Sequence, residues 1–203
     1  MPSPAIEAAA AESGVIRAAL EMAEREHAGQ TRNGSGGMAY IHHPVAVAEL
    51  LAAQGFDDET VAAALLHDVV EDSDTAVGDV RERFGERVGG LVEALTDDES
   101  IEPYVRRKDL HRQQVAAAGG DAPAIYGADK LSNVSVLRRT YAEQGEKVGD
   151  EFEAPLDVKE AVWRADLEML RREAPQLPFL DQLEAELDAL KENRGRRVRA
   201  DLS

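Results

Sequence analysis

The stretch from Ala62 to Asp72, AAALLHDVVED, constrains this chain more than any other. Ala62, Ala63, Ala64, Leu65, Leu66, Val69 and Val70 belong in a core, whereas His67, Asp68, Glu71 and Asp72 need water, protons or a metal. In a helix, residues three and four apart share a face, so His67 aligns with Glu71 and Asp68 with Asp72. A charge placed beside buried apolar surface requires a partner. Imidazole nitrogen and carboxylate oxygen side by side suit Mn²⁺, Fe²⁺ or Zn²⁺ better than Ca²⁺. Both His67 and Asp68 can ligate if the backbone leaves the helix next to the metal. Glu71 and Asp72, one turn on, are then placed to orient or deprotonate a water. For the His-Asp dipeptide alone, a hydrogen-bonded core histidine beside a solvated acidic face is the simpler account.

The surrounding pattern is helical throughout. Residues 13–28 have apolar positions at helical spacing behind a Ser start. GQTRNGSGGMAYIHH reads as a flexible loop, and Pro44 opens a helix that Gly55 ends. Asp57, Asp58 and Glu59 suit the N-terminus of a helix that runs into the His67–Asp72 segment. Two short helices meet at Gly85, a basic helix covers 103–118, and another covers 122–141. AEQGEKVGDEFEAP reads as a polar connection before amphipathic helices at 155–173 and 178–191. Neither strand alternation nor an internal repeat is visible. The expectation is an all-α, single-domain helical bundle over 13–191, with a flexible N-terminus at 1–12 and a fraying polar, basic tail at 192–203.

Composition narrows the function. A net charge of −17 argues against a nucleic-acid partner, because a phosphate backbone would be repelled. It leaves room for a small anionic substrate, since a divalent cation reverses the local field. The chain has no cysteine, which removes thiolate zinc sites, disulfides and cysteine nucleophiles. No apolar run is long enough to span a membrane, and MPSPAIEAAAAES lacks the basic region and apolar core of a signal peptide. These features predict a cytoplasmic protein with no membrane partner.

Further metal ligands must come from outside the His67–Asp72 segment. His43, just before Pro44, and Asp129, inside the apolar AIYGADKLSNVSVL, are the best candidates. An aspartate inside such a helix lowers its propensity and calls for a partner. Arg106, Arg107, Lys108 and Arg112 lie on one helix, which either meets substrate phosphates or forms a surface ion-pair face. His27 and His111 carry no strong signal, and Trp163 reads as core.

The order His…His-Asp…Asp resembles the HD-domain phosphohydrolases. HAGQTR, AYIHHPVAVAELL, AALLHDVVEDSD, VRERFGERVGGLVEALTDDES and GADKLSNVSVLRR, in that order, look like the hydrolase domain of the RelA/SpoT alarmone proteins. The resemblance is greatest to the stand-alone small alarmone hydrolases, with no synthetase or regulatory domain expected after it, and it runs from about residue 15 to about residue 172. It implies that His43, His67, Asp68 and Asp129 hold the metal, in that family usually Mn²⁺, with His42 a non-ligand neighbour. It further implies that Glu71 and Asp72 activate the water, and that Arg32 and Asn133 contact a small phosphorylated nucleotide. The implied reaction removes the 3′-pyrophosphate of ppGpp or pppGpp, giving GDP or GTP. Two positions depart from the family pattern. Asn33 stands where a lysine follows the arginine, and the tyrosine expected about three residues before Trp163 is replaced near Glu160. Both departures touch nucleotide recognition, so an adenine alarmone or NADPH is the alternative substrate. A non-catalytic nucleotide-binding module is a more distant alternative, because no ligand and neither acid of the pair is missing.

Overall fold

The computed structural model describes residues 4–201. Its helices are α1 (Pro4–Glu12), α2 (Gly14–Glu26), α3 (His42–Ala53), α4 (Asp58–Leu66), α5 (Val69–Asp72), α6 (Val77–Phe84), α7 (Glu86–Leu95), α8 (Tyr104–Ala118), α9 (Ala122–Gln144), α10 (Leu156–Glu173) and α11 (Leu180–Asp201). Among the described residues the only sheet-like pairing outside them is an isolated antiparallel bridge between Thr31 and Ala39. The all-α expectation holds.

Two helices form the interior. From Thr60 to Leu66 every residue of α4 is buried, and α9 is buried on all sides from Ala122 to Asp129. A helix that is apolar all round is a core helix. Alanines at 62, 63 and 64 let α2, α3 and α7 approach α4 closely. Along α9, α3 packs on one side and α11 on another, the latter through Leu183, Leu187 and Leu190. Gly127 allows a further close approach: a Cβ there would lie 3.0 Å from Phe179 and 3.2 Å from Leu170. Capping fixes the helix starts, with Ser13 accepting from Ile16 N and Asp57 from Thr60 N at 3.0 Å.

Four expectations need correction. The helix expected to continue from Asp58 through Asp72 breaks at His67–Asp68. The reason is local: His67 Nδ1 donates to Ala64 O at 2.8 Å, competing for a carbonyl of the last turn. Residues 4–12, expected to be flexible, form α1, because Ile6 and Ala10 share a face that is buried against the core. The polar connection after α9 winds into a 3-10 helix, Gly145–Glu151, with Val148 fully buried. The segment from 192, expected to fray, continues α11 to Asp201, and Arg194 bridges to Glu146 and Glu160, each at 3.5 Å. Residues 1–3 and 202–203 lie outside the described residues.

The first of these terminal corrections is directly measurable. Ile6→Ala removes a side chain with no exposed surface, and should lower the free energy of unfolding in urea by about 2–5 kcal/mol. A flexible N-terminus would leave the midpoint unchanged.

Candidate metal and phosphate site

The break after α4 brings His67 and Asp68 to the mouth of a cavity of about 130 Å³ whose lining includes His43, Glu71 and Asp129. His43 comes from the first turn of α3 and Asp129 from the middle of α9. His43 Nε2 lies 3.1 Å from Asp129 Oδ1 and 3.3 Å from Asp68 Oδ2. His67 Nε2 lies 3.2 Å from Asp68 Oδ1 and 4.0 Å from Asp129 Oδ1. The structure therefore brings together all four residues expected as ligands. One nitrogen of each histidine and one oxygen of Asp129 fall within 4.8 Å of one another.

The donor set fits a divalent cation. Ala64 O can only accept, so His67 carries its proton on Nδ1 and aims the Nε2 lone pair at the two carboxylates. That nitrogen is buried and finds no hydrogen-bond partner among the described residues. Lone pair against carboxylate is repulsive, and a cation between them makes the contact attractive. His43 Nδ1 is held by Ser132 Oγ at 3.1 Å, which orients its ring in the same way.

Electrostatics match this reading. Burial opposes ionisation of Asp129, but Lys130 at 2.6 Å and His43 hold its pKa well below the carboxylate range. Burial also opposes ionisation of Asp68, and His67 and His43 reverse that effect. For His43, burial and Arg32 disfavour the proton, while Asp129 and Asp68 outweigh them and raise its pKa. Glu71 differs from all of these. Burial first, and the Asp68 charge second, push it up to about 8.

The Glu71-Asp72 pair is divided. Glu71 lines the cavity and accepts from Asp97 N through Oε1. Asp72 is exposed, and the cavity lining does not include it. Its pKa is raised by partial burial and by the Asp68 charge. Tyr40 itself donates to Asp68 Oδ2 at 2.7 Å and stacks on His27 at 4.7 Å.

Arg32 and Asn133 meet. Arg32 Nη2 donates to Asn133 Oδ1 at 2.8 Å, and Asn133 Nδ2 donates to Asp129 Oδ1. Both border a second cavity, about 110 Å³, that shares Lys108, Lys130 and Asn133 with the first. Its walls include Asn33, Tyr104, Phe152, Lys159 and Trp163. Lys159 Nζ sits 4.6 Å from the Phe152 ring centroid, 5.3 Å from Trp163 and 5.4 Å from Tyr104. Burial, with Lys108 and Lys130 nearby, pushes its pKa down to about 8.

Several of these residues were not singled out by sequence. Lys130, Tyr40, Asp97 and Lys159 give no motif of their own. The basic helix is not simply a surface ion-pair face: Arg107 is buried against Asp97 and Glu153, and Lys108 faces both cavities. His111 shares its face with Lys108 at helical spacing, which is the signal that would have found it. Trp163 is buried, as expected, yet one side of it lines the second cavity. Glu160 turns away toward Arg164 and Arg194.

Comparison with known proteins agrees with this geometry. A model described as HD domain matches residues 19–120, a span that includes His43, His67 and Asp68 and ends before Asp129. The human guanosine-3′,5′-bis(diphosphate) 3′-pyrophosphohydrolase MESH1 is 40% identical over 134 residues, covering 65% of this chain and 74% of that protein. The Aquifex aeolicus enzyme with the same activity in its name is 39% identical over 153 residues, covering 73% of this chain but 22% of its own length. The chain thus spans about a fifth of that relative. A solved metazoan ortholog of SpoT, described as hydrolysing ppGpp, superposes with a TM-score of 0.68 at 29% identity, over 90% of this chain and 97% of that one. Family model, relatives and fold agree that the chain belongs to the HD-domain family, in its RelA/SpoT hydrolase branch.

Proposed function

We propose that the protein is a Mn²⁺-dependent hydrolase that removes the 3′-pyrophosphate of guanosine alarmones, converting ppGpp or pppGpp to GDP or GTP. The observation that carries this reading is the convergence of His43, His67, Asp68 and Asp129 on one point, with Glu71 beside them and a lysine-lined pocket next door. The names of the relatives point the same way.

When bound by these four residues, a divalent cation neutralises phosphoryl charge and favours loss of a proton from water. The remaining work falls to the chain. Glu71 takes the proton of the attacking water, a role suited to a carboxylate whose pKa lies near working pH. Its Oε1 is anchored by Asp97 N, which leaves Oε2 for that proton. The water oxygen bonds to the phosphorus next to the ribose 3′-oxygen, the bond between them breaks, and the 3′-oxygen leaves as a hydroxyl once it gains a proton. Lys108 and Lys130 meet the charge of the departing pyrophosphate, while Arg32 and Asn133 position the nucleotide. Asp72, exposed behind Tyr40, acts by orientation rather than by direct proton transfer.

A second reading concerns the substrate alone. Asn33 and Lys159 line the second cavity and Glu160 points away from it, so the groups that meet the nucleotide differ from the family pattern. This favours an adenine alarmone or NADPH as the competing substrate. Compared by kcat/KM, a panel of these nucleotides should rank ppGpp first. A higher value for an adenine nucleotide would shift the assignment to the second reading.

Purified protein given ppGpp and Mn²⁺ should release pyrophosphate, and EDTA should abolish the release. Asp68→Ala should lose the metal by elemental analysis, because an anionic ligand between two histidines is gone. Glu71→Ala should keep the metal and lower kcat by about 10²–10⁴-fold. Loss of metal from Glu71→Ala would make Glu71 a ligand instead.

Glu71 also predicts a pH dependence of the metal-free protein. Its folded pKa, about 8, lies above the ordinary value of 4.5. The stability it contributes is therefore complete below the ordinary value and is lost as pH rises through the folded one. His43, also raised, acts in the same direction and is common to both proteins compared. In thermal melts of chelated protein from about pH 5 to about pH 9, Glu71→Gln should lose less stability with rising pH than wild type. Parallel curves would show that Glu71 does not titrate in that window.

A further inference from the structure

His111 lies on α8, is 7% exposed, and faces the cavity that holds the four ligand residues and Glu71. Neither of its ring nitrogens has a hydrogen-bond partner among the described residues. An imidazole buried with both nitrogens unsatisfied costs free energy unless something else meets them. The Tyr126 ring lies edge-on to it at 5.4 Å, and the Tyr126 hydroxyl is committed to Asp166 at 3.0 Å.

The surroundings determine what kind of ligand fits. The charged groups that face His111 are Lys130 and Asp129 from α9, Lys108 from its own helix, and Asp97 from the turn after α7. Both acids are already paired, Asp97 with Lys108 at 2.5 Å and Asp129 with Lys130 at 2.6 Å. Each ammonium has three N–H donors, so each lysine keeps donors for a ligand. Burial and Lys130 hold the His111 pKa down to about 4, so the ring is neutral and presents one N–H. A second cation beside His111 would face two ammonium groups. An anion rich in acceptor oxygens would face three donor groups, two ammonium groups and one imidazole N–H.

On the reading given under Proposed function, we propose that His111 is a substrate-binding residue whose neutral imidazole N–H donates to a phosphoryl oxygen of the pyrophosphate group in the metal cavity. It works with Lys108 and Lys130, which supply charge, while the imidazole supplies a directed hydrogen bond from the wall formed by Leu95 and Tyr126. The site recognises a diphosphate and is indifferent to the base.

The test uses Mn²⁺-loaded protein titrated with inorganic pyrophosphate in a calorimeter, alongside thermal melts and elemental analysis. His111→Phe keeps the ring shape and removes both nitrogens. It should weaken pyrophosphate binding about tenfold to a hundredfold while metal content stays the same and the melting temperature holds or rises. His111→Asn and His111→Gln each place an amide N–H near one ring nitrogen, and one of them should recover most of the affinity. Unchanged pyrophosphate affinity in His111→Phe overturns the proposal. So does a loss accompanied by lost metal or a lower melting temperature, and so does failure of both amide variants to recover binding. Wild type that binds pyrophosphate in this His111-dependent way yet leaves ppGpp intact would remove the guanosine reading and leave the diphosphate contact standing.

Discussion

The ionised Asp129 carboxylate is the constraint around which the molecule is arranged. It sits in the middle of α9, on a helix buried on nearly every side. An isolated buried charge is costly, and this one is met by Lys130, Asn133 and His43, with Arg32 one bond further out. Those partners come from α9, from the first turn of α3 and from the loop before it. Packing α3 against α9 and α4 is therefore also what assembles the ligand set. The break between α4 and α5 completes it, because the same His67 hydrogen bond that interrupts the helix turns Nε2 toward the carboxylates.

Charge is distributed against the overall balance. The chain carries a net charge of −17, yet the second cavity is lined by Arg32, Lys108, Lys130 and Lys159, with Asp166 the acid among its lining residues. Acids hold two of these cations in place: Asp97 binds Lys108, and Asp129 binds Lys130. Lys159 has aromatic rings around it instead of a carboxylate. A small anion entering that cavity thus meets a local charge opposite in sign to that of the whole protein.

The all-helical fold was legible in the sequence because helical periodicity and capping act over a few residues: Ser13, Asp57 and Gly85 mark boundaries by local chemistry. The candidate ligand residues were legible for a similar reason, since each stands in a short motif where a polar group interrupts an apolar run. What failed were judgements about segments with weak local signal. Residues 4–12 and the segment from 192 look unanchored in isolation, but the first packs as a helix on α2 and α3, and in the second Arg194 reaches Glu146 and Glu160.

By itself, then, the sequence determined the all-helical class and singled out His43, His67, Asp68, Asp129 and Glu71 as candidates, because a histidine or carboxylate inside an apolar helix is conspicuous wherever the helix goes. Only the tertiary structure decided that Glu71 faces the first cavity while Asp72 does not, that Lys159 rather than Glu160 lines the second cavity, and that His111 is buried beside the candidate metal site. Each of these is a question of which way one side of a helix points. For Glu71 and Asp72 that direction is set by the packing of α5 against α2, and for the others by the packing of α8, α9 and α10 against one another, long-range outcomes that no window of neighbouring residues contains.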